Sequence, residues 1–537
     1  MAALDELRTA LEDAAADLRG SAAPPRARPS LERPPKADFG DYSSNAAMLL
    51  APLLGEPPRV VAEKLGEAVA GRLADRLARV DVAGPGFLNL FLADAWYADA
   101  LSGVLAGGAD YGGGRAPQPE RINVEFVSAN PTGPIHLGHA RNAAYGDAIC
   151  RLLAFHGHDV TREFYSNDAG SQVGKFAAAL QARARGEEPE EYMGDYVGEI
   201  AAKIPGAAGM DLDALGRAGM EHVLAGMRET LEKFRVEPFA MWYSERSLYQ
   251  AQPPQPSAVD QVLASLAEHG ATYRAEDALW IRATDYGDDK DRVLVKSDGS
   301  YTYLTPDIAY HQNKRERGFD RLIDVWGADH HGYVVREKAA YAALGGDPDK
   351  LELLIMQFVN LERAGQPVSM SKRSGDFVTL DDLIEEIGTD AARWFLLARS
   401  HDTTIEVDLD LATRESADNP VYYVQYAHAR IRSILRGVEV ADSAVSPAQA
   451  LEPSERLLIK RLIAFGNEVG EAADRRAPHR VATYALDLAR DFASFYENCK
   501  VLTGTDHEPF RLALCAATQR VIARSLDLLG VDAPESM

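Results

Sequence analysis

Residues 121–128 of the chain are RINVEFVS, and residues 136–157 are HLGHARNAAYGDAICRLLAFHG. The first stretch is a short apolar run typical of a buried strand, and the second has the length and apolar spacing of a helix. The same order recurs at residues 321–344, where RLIDVWGADHHG leads into YVVREKAAYAAL. Repeated strand-to-helix units predict a parallel, doubly wound α/β sheet, in which ligands bind at the carboxyl ends of the strands.

Around this sheet the sequence predicts a multidomain α/β protein. Residues 1–112 combine a helical opening with the strand-like segment AGPGFLNLFLAD, which indicates an N-terminal α+β domain. Residues 113–414 are predicted to form a Rossmann-like, parallel-sheet domain, with an insertion at about 181–300 where the alternation of strand and helix breaks. Residues 415–537 show helical patterns without a clear strand, which predicts an all-α helical bundle.

Size and composition limit the class of protein. At roughly 150 residues per folding unit, a chain of 537 residues argues against a small binding module. The formal net charge of -24 argues against non-specific nucleic-acid binding, although local basic surfaces on an acidic protein still bind RNA. The cysteines have no metal-binding spacing, and neither a signal peptide nor a long apolar run is evident, so we expect a cytoplasmic protein without a membrane span.

The first motif with chemical meaning is SANPTGPIHLGHARNA, residues 128–143, where the strand ends and the helix begins. His136 and His139 are three residues apart and project from one side of the first helical turn, and Gly138 leaves room for a nucleotide to approach the backbone. Free N–H groups and the helix dipole favour phosphate there, and two imidazoles add hydrogen-bond donors. The alternative is that both histidines are helix caps or core residues.

The second motif is QPVSMSKRSGDFVTLDDLIEE, residues 366–386, a basic loop rich in Gly and Ser that precedes a helix. On such a loop, Lys372 reaches nucleotide phosphates and stabilises the leaving pyrophosphate, with Arg373 nearby. Considered alone, this lysine is better explained as a solvated surface residue. Both motifs together, in this order around one sheet, favour the catalytic interpretation.

The sequence resembles class I aminoacyl-tRNA synthetases, because HLGH is similar to their HIGH signature and SMSKR to their KMSKS signature. Within that class it resembles the arginyl-tRNA synthetases over nearly the whole chain, through segments such as EFYSNDAGSQV, MWYSERSLY, VKSDGSYTYLTPDIAYH and YYVQYAHARIR. Ser369 stands where the KMSKS pattern has its first lysine, and Lys372 keeps the second. The HIGH-like motif consists of Ala129, Asn130, Pro131, Thr132, Gly133, Pro134, Ile135, His136, Leu137, Gly138 and His139.

The resemblance implies an enzyme, an arginine-tRNA ligase, that uses ATP to form arginyl-adenylate. It then transfers arginine to the 2′-hydroxyl of the terminal adenosine of its tRNA. The implied partners are arginine, ATP and the tRNA specific for arginine, and Mg2+ is expected to arrive bound to ATP. The resemblance further implies that arginine activation needs bound tRNA and that the protein is a monomer.

The resemblance also implies a role for individual residues. The catalytic residues are His136, His139 and Lys372. ATP is bound by Gly138, Gly327, Asp329, Lys372 and Arg373. Arginine is bound by Glu125, Asn130, Glu245, Tyr303 and Asp307, in keeping with the preference of a guanidinium for planar carboxylate acceptors.

Two alternatives apply to these residues. Each strand-end or helix-start position is also compatible with an ordinary capping role. Asp329, His330 and His331 suggest a zinc site, but adjacent side chains rarely converge on one metal, so no structural zinc is expected.

Contacts with tRNA are expected in both terminal domains. The bundle resembles the family's anticodon-binding domain, and the N-terminal domain resembles the module that contacts the tRNA elbow. Aromatic, basic and polar side chains suit unstacked bases. The residues expected to contact tRNA are Phe87, Asn89, Tyr426 and Arg430. The alternatives are a buried strand position for Phe87, a core position for Tyr426 and a solvated helix face for Arg430.

Two other functions stay open. One is a related enzyme, either a class I synthetase for another amino acid or a nucleotidylyltransferase with a similar HxGH turn, although the latter needs no helical C-terminal third. The other is a synthetase-like RNA-binding protein without catalysis, against which the intact His136, His139 and Lys372 argue.

Overall fold

The computed structural model describes residues 3–21, 23–368, 378–438, 440 and 446–537. Its N-terminal part packs helices on an antiparallel sheet of three strands, in which the third strand lies between the first two. The elements are α1 (Ala3–Arg19), β1 (Tyr42–Ser44), α2 (Ala46–Leu54), α3 (Pro58–Leu73), β2 (Leu77–Ala83), β3 (Phe87–Leu92) and α4 (Asp94–Ala106). Leu4, Leu7 and Leu11 are buried on one face of α1, as their spacing predicts.

The central part follows from residue 121. Its elements are β4 (Arg121–Glu125), α5 (Leu137–His156), β5 (Asp159–Ser166), α6 (Ser171–Arg185), α7 (Asp195–Lys203), α8 (Leu212–Lys233), β6 (Met241–Ser244), α9 (Ala258–Glu268), β7 (Thr272–Ala275), β8 (Ala278–Ile281), β9 (Arg292–Val295), α10 (Leu304–Glu316), β10 (Arg321–Gly327), α11 (Val334–Ala343), β11 (Leu351–Met356), β12 (Val359–Arg363), β13 (Gln366–Pro367), α12 (Leu380–Ile387), α13 (Thr389–Leu397), β14 (Ile405–Asp408) and α14 (Leu409–Ala412).

The predicted parallel sheet is confirmed. Five strands pair in the order β11-β10-β4-β5-β6, and every neighbouring pair is parallel. From β4 the chain order runs through β5 and β6 on one side and through β10 and β11 on the other. The switch point of this doubly wound sheet therefore lies beside β4, and the crevice at its carboxyl end is where ligands bind in such folds.

The structure differs from the sequence prediction at two strands. β6 lies within residues 181–300, the predicted insertion, yet it forms the edge of the parallel sheet by pairing with β5. The apolar run LELLIMQFVNL, residues 351–361, has the sequence pattern of one further strand of this sheet, but it divides into β11 and β12, and β12 pairs instead with β13 and β14. Apolar periodicity identifies strands but not the sheet that each one joins.

The predicted C-terminal bundle is also confirmed, as α15 (Pro420–Ile434), α16 (Pro453–Asp474), α17 (His479–Asn498) and α18 (Glu508–Leu528). It is bonded directly to α5. Asp147 of α5 accepts a hydrogen bond from the buried Arg393 at 2.6 Å, and the same guanidinium donates to the Leu529 carbonyl just after α18. The Tyr145 hydroxyl of α5 donates to the Arg476 carbonyl.

In the described part of the chain, no helix combines the length and apolarity that crossing a membrane requires.

Candidate active site

The loop after β4 has an unusual backbone. Val127 and Ser128 have φ of 67° and 41°, a left-handed conformation that is strained for a β-branched residue and persists only where the surroundings hold it. Here the Ser128 hydroxyl donates to Glu125 Oε1 at 2.8 Å and accepts from the Tyr165 backbone N–H at 3.1 Å. The loop is therefore fixed at the switch point, and it leaves Asn130 exposed above the strand ends.

The HLGH turn begins α5. His136 is the N-cap, and its Nδ1 accepts from the Gly138 N–H at 3.1 Å, so the ring proton lies on Nε2. The His136 and His139 ring centroids are 4.0 Å apart. A Cβ on Gly138 would lie 2.9 Å from the His136 ring, so this glycine makes room for an imidazole, in addition to the nucleotide proposed from sequence.

Both histidines are neutral at physiological pH. Burial, with a smaller contribution from the neighbouring His136, lowers the pKa of His139 to about 3. Burial also lowers the pKa of His136, and the charge of Asp329 opposes that change. The two rings therefore act as hydrogen-bonding groups and not as cations.

The predicted nucleotide-binding residues of β10 lie at the same end of the sheet. Gly327 is the last residue of β10, next to β4. A Cβ on Gly327 would lie 2.6 Å from Asp329 Oδ1, so the carboxylate folds back into the space that a side chain at position 327 would occupy. Asp329 is exposed, and its charge acts on His136, which brings the predicted ribose acceptor close to the HLGH turn.

Ser369, Lys372 and Arg373 of the second motif lie outside the described residues. The chain that follows them is bonded to the HLGH turn. The Leu137 N–H donates to the Val378 carbonyl at 2.9 Å, and the Leu380 N–H donates to the Ile135 carbonyl at 2.8 Å. Thr379 then starts α12 with a capping box. The downstream end of the second motif is thereby held against the first.

Three carboxylates expected to bind arginine lie near one tyrosine, Tyr165 at the end of β5. Burial raises the pKa of Tyr165, and the charges of Glu245, Asp307 and Glu125 raise it further. The Tyr249 hydroxyl donates to Glu245 Oε1 at 3.0 Å. These acidic residues, here called the acidic pocket, lie around Tyr165 near the carboxyl ends of β4 and β5, and their negative charges favour a cation.

Asp307 is the residue of the acidic pocket whose carboxyl group is most strongly disfavoured in its charged form. Burial raises its pKa well above the ordinary value, and the charge of Glu337 raises it further. Its carboxylate makes no side-chain hydrogen bond or ion pair within the described residues. Tyr303, one helical turn earlier, is 79% exposed, so its side chain points into solvent and does not pack against the carboxylates.

The sequence prediction missed Tyr165, although EFYSNDAG carried the resemblance. Its place at the carboxyl end of a strand next to β4 is the signal that would have found it. It also missed Lys314, which is buried and bonded to Glu125. In the sequence, HQNKRER around Lys314 reads as a solvated helix, so no signal indicated this burial.

The residues expected to contact tRNA differ in accessibility. Phe87 and Tyr426 are exposed large side chains. Asn89 is buried, and its Oδ1 accepts from the Ser43 hydroxyl at 2.8 Å, so it supports the N-terminal sheet and does not face solvent. The Arg430 guanidinium lies 5.1 Å from the Tyr426 ring centre and 5.2 Å from that of Tyr496, an exposed aromatic that the sequence prediction missed.

Family models match three consecutive parts of the chain. The arginyl tRNA synthetase N terminal domain matches residues 5–92. The catalytic domain of tRNA synthetases class I (R) matches residues 100–196 and 241–432. The DALR anticodon binding domain matches residues 424–537.

Individual relatives agree with these models. The arginine--tRNA ligase of Geobacillus kaustophilus (strain HTA426) is 46% identical over 534 residues, which covers 94% of each chain. That of Bacillus subtilis (strain 168) is 45% identical over 531 residues, again with 94% of each covered. The solved structure of Thermus thermophilus arginyl-tRNA synthetase has a TM-score of 0.77 at 25% identity and covers 99% of this chain and 100% of that one. The chain belongs to the class I arginyl-tRNA synthetase family.

Proposed function

We propose that the chain is an arginine-tRNA ligase, which activates arginine with ATP and transfers it to tRNA. The observation that carries the proposal is the acidic pocket, in which Glu245 and Asp307 form no ion pair with Lys or Arg within the described residues. The guanidinium is permanently charged and prefers planar carboxylate acceptors, so arginine supplies the missing cation. The relatives named arginine--tRNA ligase support the same activity.

Each end of arginine then has its own partners. Asp307 and Glu245 accept hydrogen bonds from the guanidinium. Glu125 binds the α-ammonium group, and Asn130 binds the carboxylate end next to the HLGH turn. Tyr303, exposed in the free enzyme, closes over the guanidinium when arginine binds.

In the first step, a carboxylate oxygen of arginine attacks the α-phosphorus of ATP, the bond to pyrophosphate breaks, and arginyl-adenylate forms. His136 and His139 donate hydrogen bonds to the charge that develops on the phosphate, and because both rings are neutral they act as hydrogen-bond donors and not as general acids. Lys372 and Arg373 neutralise the leaving pyrophosphate, together with Mg2+ that arrives on ATP. Asp329 accepts hydrogen bonds from the ribose hydroxyls.

In the second step, the 2′-hydroxyl of the terminal adenosine attacks the activated carbonyl carbon and displaces AMP, and its proton is released to solvent. Phe87 and the Tyr426–Arg430 pair offer stacking surfaces for tRNA bases at opposite ends of the chain. We propose that tRNA must be bound before arginine is activated. The division into domains at 1–112, 113–414 and 415–537, a monomeric state and a cytoplasmic location stay predictions.

The experiment that tests the function is ATP–pyrophosphate exchange by the purified protein, with each standard amino acid, in the presence and absence of tRNA. We expect exchange with arginine only, and only with tRNA present. Exchange with another amino acid would assign the protein to a different substrate. No exchange in any condition would favour the RNA-binding alternative.

A further inference from the structure

Lys314 of α10 is fully buried beside the arginine pocket. Its Nζ donates to Glu125 Oε2 at 2.8 Å and to Asp324 Oδ1 at 2.7 Å, and it lies 4.2 Å from the centre of the Tyr310 ring. Glu125 and Asp324 are register partners on the neighbouring parallel strands β4 and β10. Two buried carboxylates side by side repel each other, so the ammonium group between them stabilises both.

The second oxygen of each carboxylate is bonded as well, but to different kinds of group. Ser128 Oγ, a neutral hydroxyl, donates to Glu125 Oε1 at 2.8 Å. His311 Nε2 lies 2.7 Å from Asp324 Oδ2. Asp324 is thus bonded to two basic side chains, His311 and Lys314. Among the described residues, Lys314 is the one cation bonded to Glu125. Glu125 depends on Lys314 more than Asp324 does.

The charge states follow the same order. Burial raises the pKa of Glu125, and the charge of Lys314 opposes this rise. Burial also acts to raise the pKa of Asp324, but Lys314 and His311 together lower it to about 2. Burial lowers the pKa of Lys314, and the charges of Asp324 and Glu125 more than reverse that change, so the lysine stays charged. Without Lys314, Glu125 is the carboxyl group that takes up a proton.

We propose that Lys314 is a positioning residue for arginine activation, which holds Glu125 in place as the charged acceptor for the substrate's α-ammonium group. The inference rests on the proposed function, in which Glu125 binds that end of arginine. Lys314 does not touch arginine, because it is enclosed between α10, β4 and β10. The guanidinium contact at Asp307 is separate, so loss of Lys314 impairs recognition of one end of the substrate.

The test compares arginine with 5-guanidinopentanoate, which is arginine without its α-ammonium group. The arginine KM and the inhibition constant of the analogue are measured in tRNA-dependent ATP–pyrophosphate exchange. We expect the preference for arginine over the analogue to fall about tenfold or more in Lys314→Met, since a charged hydrogen bond is lost at one end only. Lys314→Gln is measured beside it, because its amide still donates a hydrogen bond and tolerates burial better, and we expect the same loss.

The pH profile gives a second readout. In both variants we expect the arginine KM to fall more steeply than in the wild type as the pH rises from about 6.5 to about 8.5, because Glu125 regains its charge in addition to the change at Asp307. A purely structural role for Lys314 would give no such recovery. The titratable and charged groups that face Glu125 are Lys314, Asp324, Asp307, Tyr165 and Tyr310.

Arg317→Met is the matched control. Arg317 continues from the same helix and bonds Glu163 through both terminal nitrogens, at 2.7 Å and 2.8 Å, so its loss also removes an ion pair to the sheet but leaves Glu125 untouched. We expect lower stability with unchanged preference and pH profile. An unchanged preference in the Lys314 variants, or an equal loss in Arg317→Met, would overturn the proposal. If the wild type itself fails to exchange with arginine, the proposed function fails instead.

Discussion

Exchanging Asp307 for asparagine keeps the shape of the side chain and removes its charge. The carboxylate is half-buried near the start of α10 and has no side-chain hydrogen-bond partner in the described residues, so a guanidinium meets it without displacing another group. A charged hydrogen bond contributes about 1.5–3 kcal/mol, and a bidentate pair is reduced in the variant to at most one neutral bond. With Glu245 retained, we expect a loss of about 3–4 kcal/mol in arginine binding, or roughly 100- to 1,000-fold.

The assay is tRNA-dependent ATP–pyrophosphate exchange, with the KM of arginine and of ATP measured separately. The arginine KM should rise by that factor while the ATP KM changes less than about threefold. Asp320→Asn is the control, because Asp320 accepts from the Arg121 N–H at the opposite end of the sheet and both KM values should stay as in the wild type. Equal losses for arginine and ATP in Asp307→Asn would refute the role of this carboxylate.

Three further predictions follow from buried groups. The pKa of Asp307 is raised well above its ordinary value, and a bound guanidinium lowers it again, so arginine binding releases a proton and weakens as the pH falls. Calorimetry in buffers of different ionisation enthalpy should detect this proton release, and identical heats in all buffers would contradict it. Asp147→Asn leaves the buried Arg393 without its counter-charge and should destabilise the fold by about 3–5 kcal/mol. The thermal unfolding midpoint should therefore fall, and an unchanged midpoint would show that the ion pair is dispensable. Gly146→Ala places a Cβ 2.2 Å from Phe126 Cγ and should lower the free energy of unfolding by about 1–3 kcal/mol in the same measurement. An unchanged midpoint would show that α5 can shift away from the sheet without loss of stability.

The fold was largely predictable because its sheet is parallel. Strands buried on both faces and followed by helices leave apolar runs that recur along the chain, as at β4 and β10. β6 was not predicted as a strand of this sheet because it is only four residues long, Met241–Ser244, and its neighbours in sequence are helices and loops. The pairing that makes it part of the sheet comes from β5, far earlier in the chain, and no local pattern records that contact.

The site residues that belong to a sequence motif could be predicted, whereas residues whose role depends on burial could not. His136 and His139 could be placed on one helical turn from their spacing, but their neutral state follows from burial that only the folded chain shows. Lys314 is the clearest example. A lysine in a polar helical stretch is expected in solvent, and its burial becomes favourable only when two strand-end carboxylates meet it.

The bonds between α5 and the C-terminal helices bear on how this enzyme could be re-engineered. Arg393 bonds Asp147 and the carbonyl after α18 with one guanidinium, so a single side chain is shared by the helix that carries the HLGH turn and the tail of the bundle. A chimera that grafts a foreign bundle onto this sheet would leave the buried Nε–H of Arg393 without its carbonyl acceptor, while the pair with Asp147 would persist. Successful exchange therefore requires α13 and the residues after α18 to be transplanted together as one cassette.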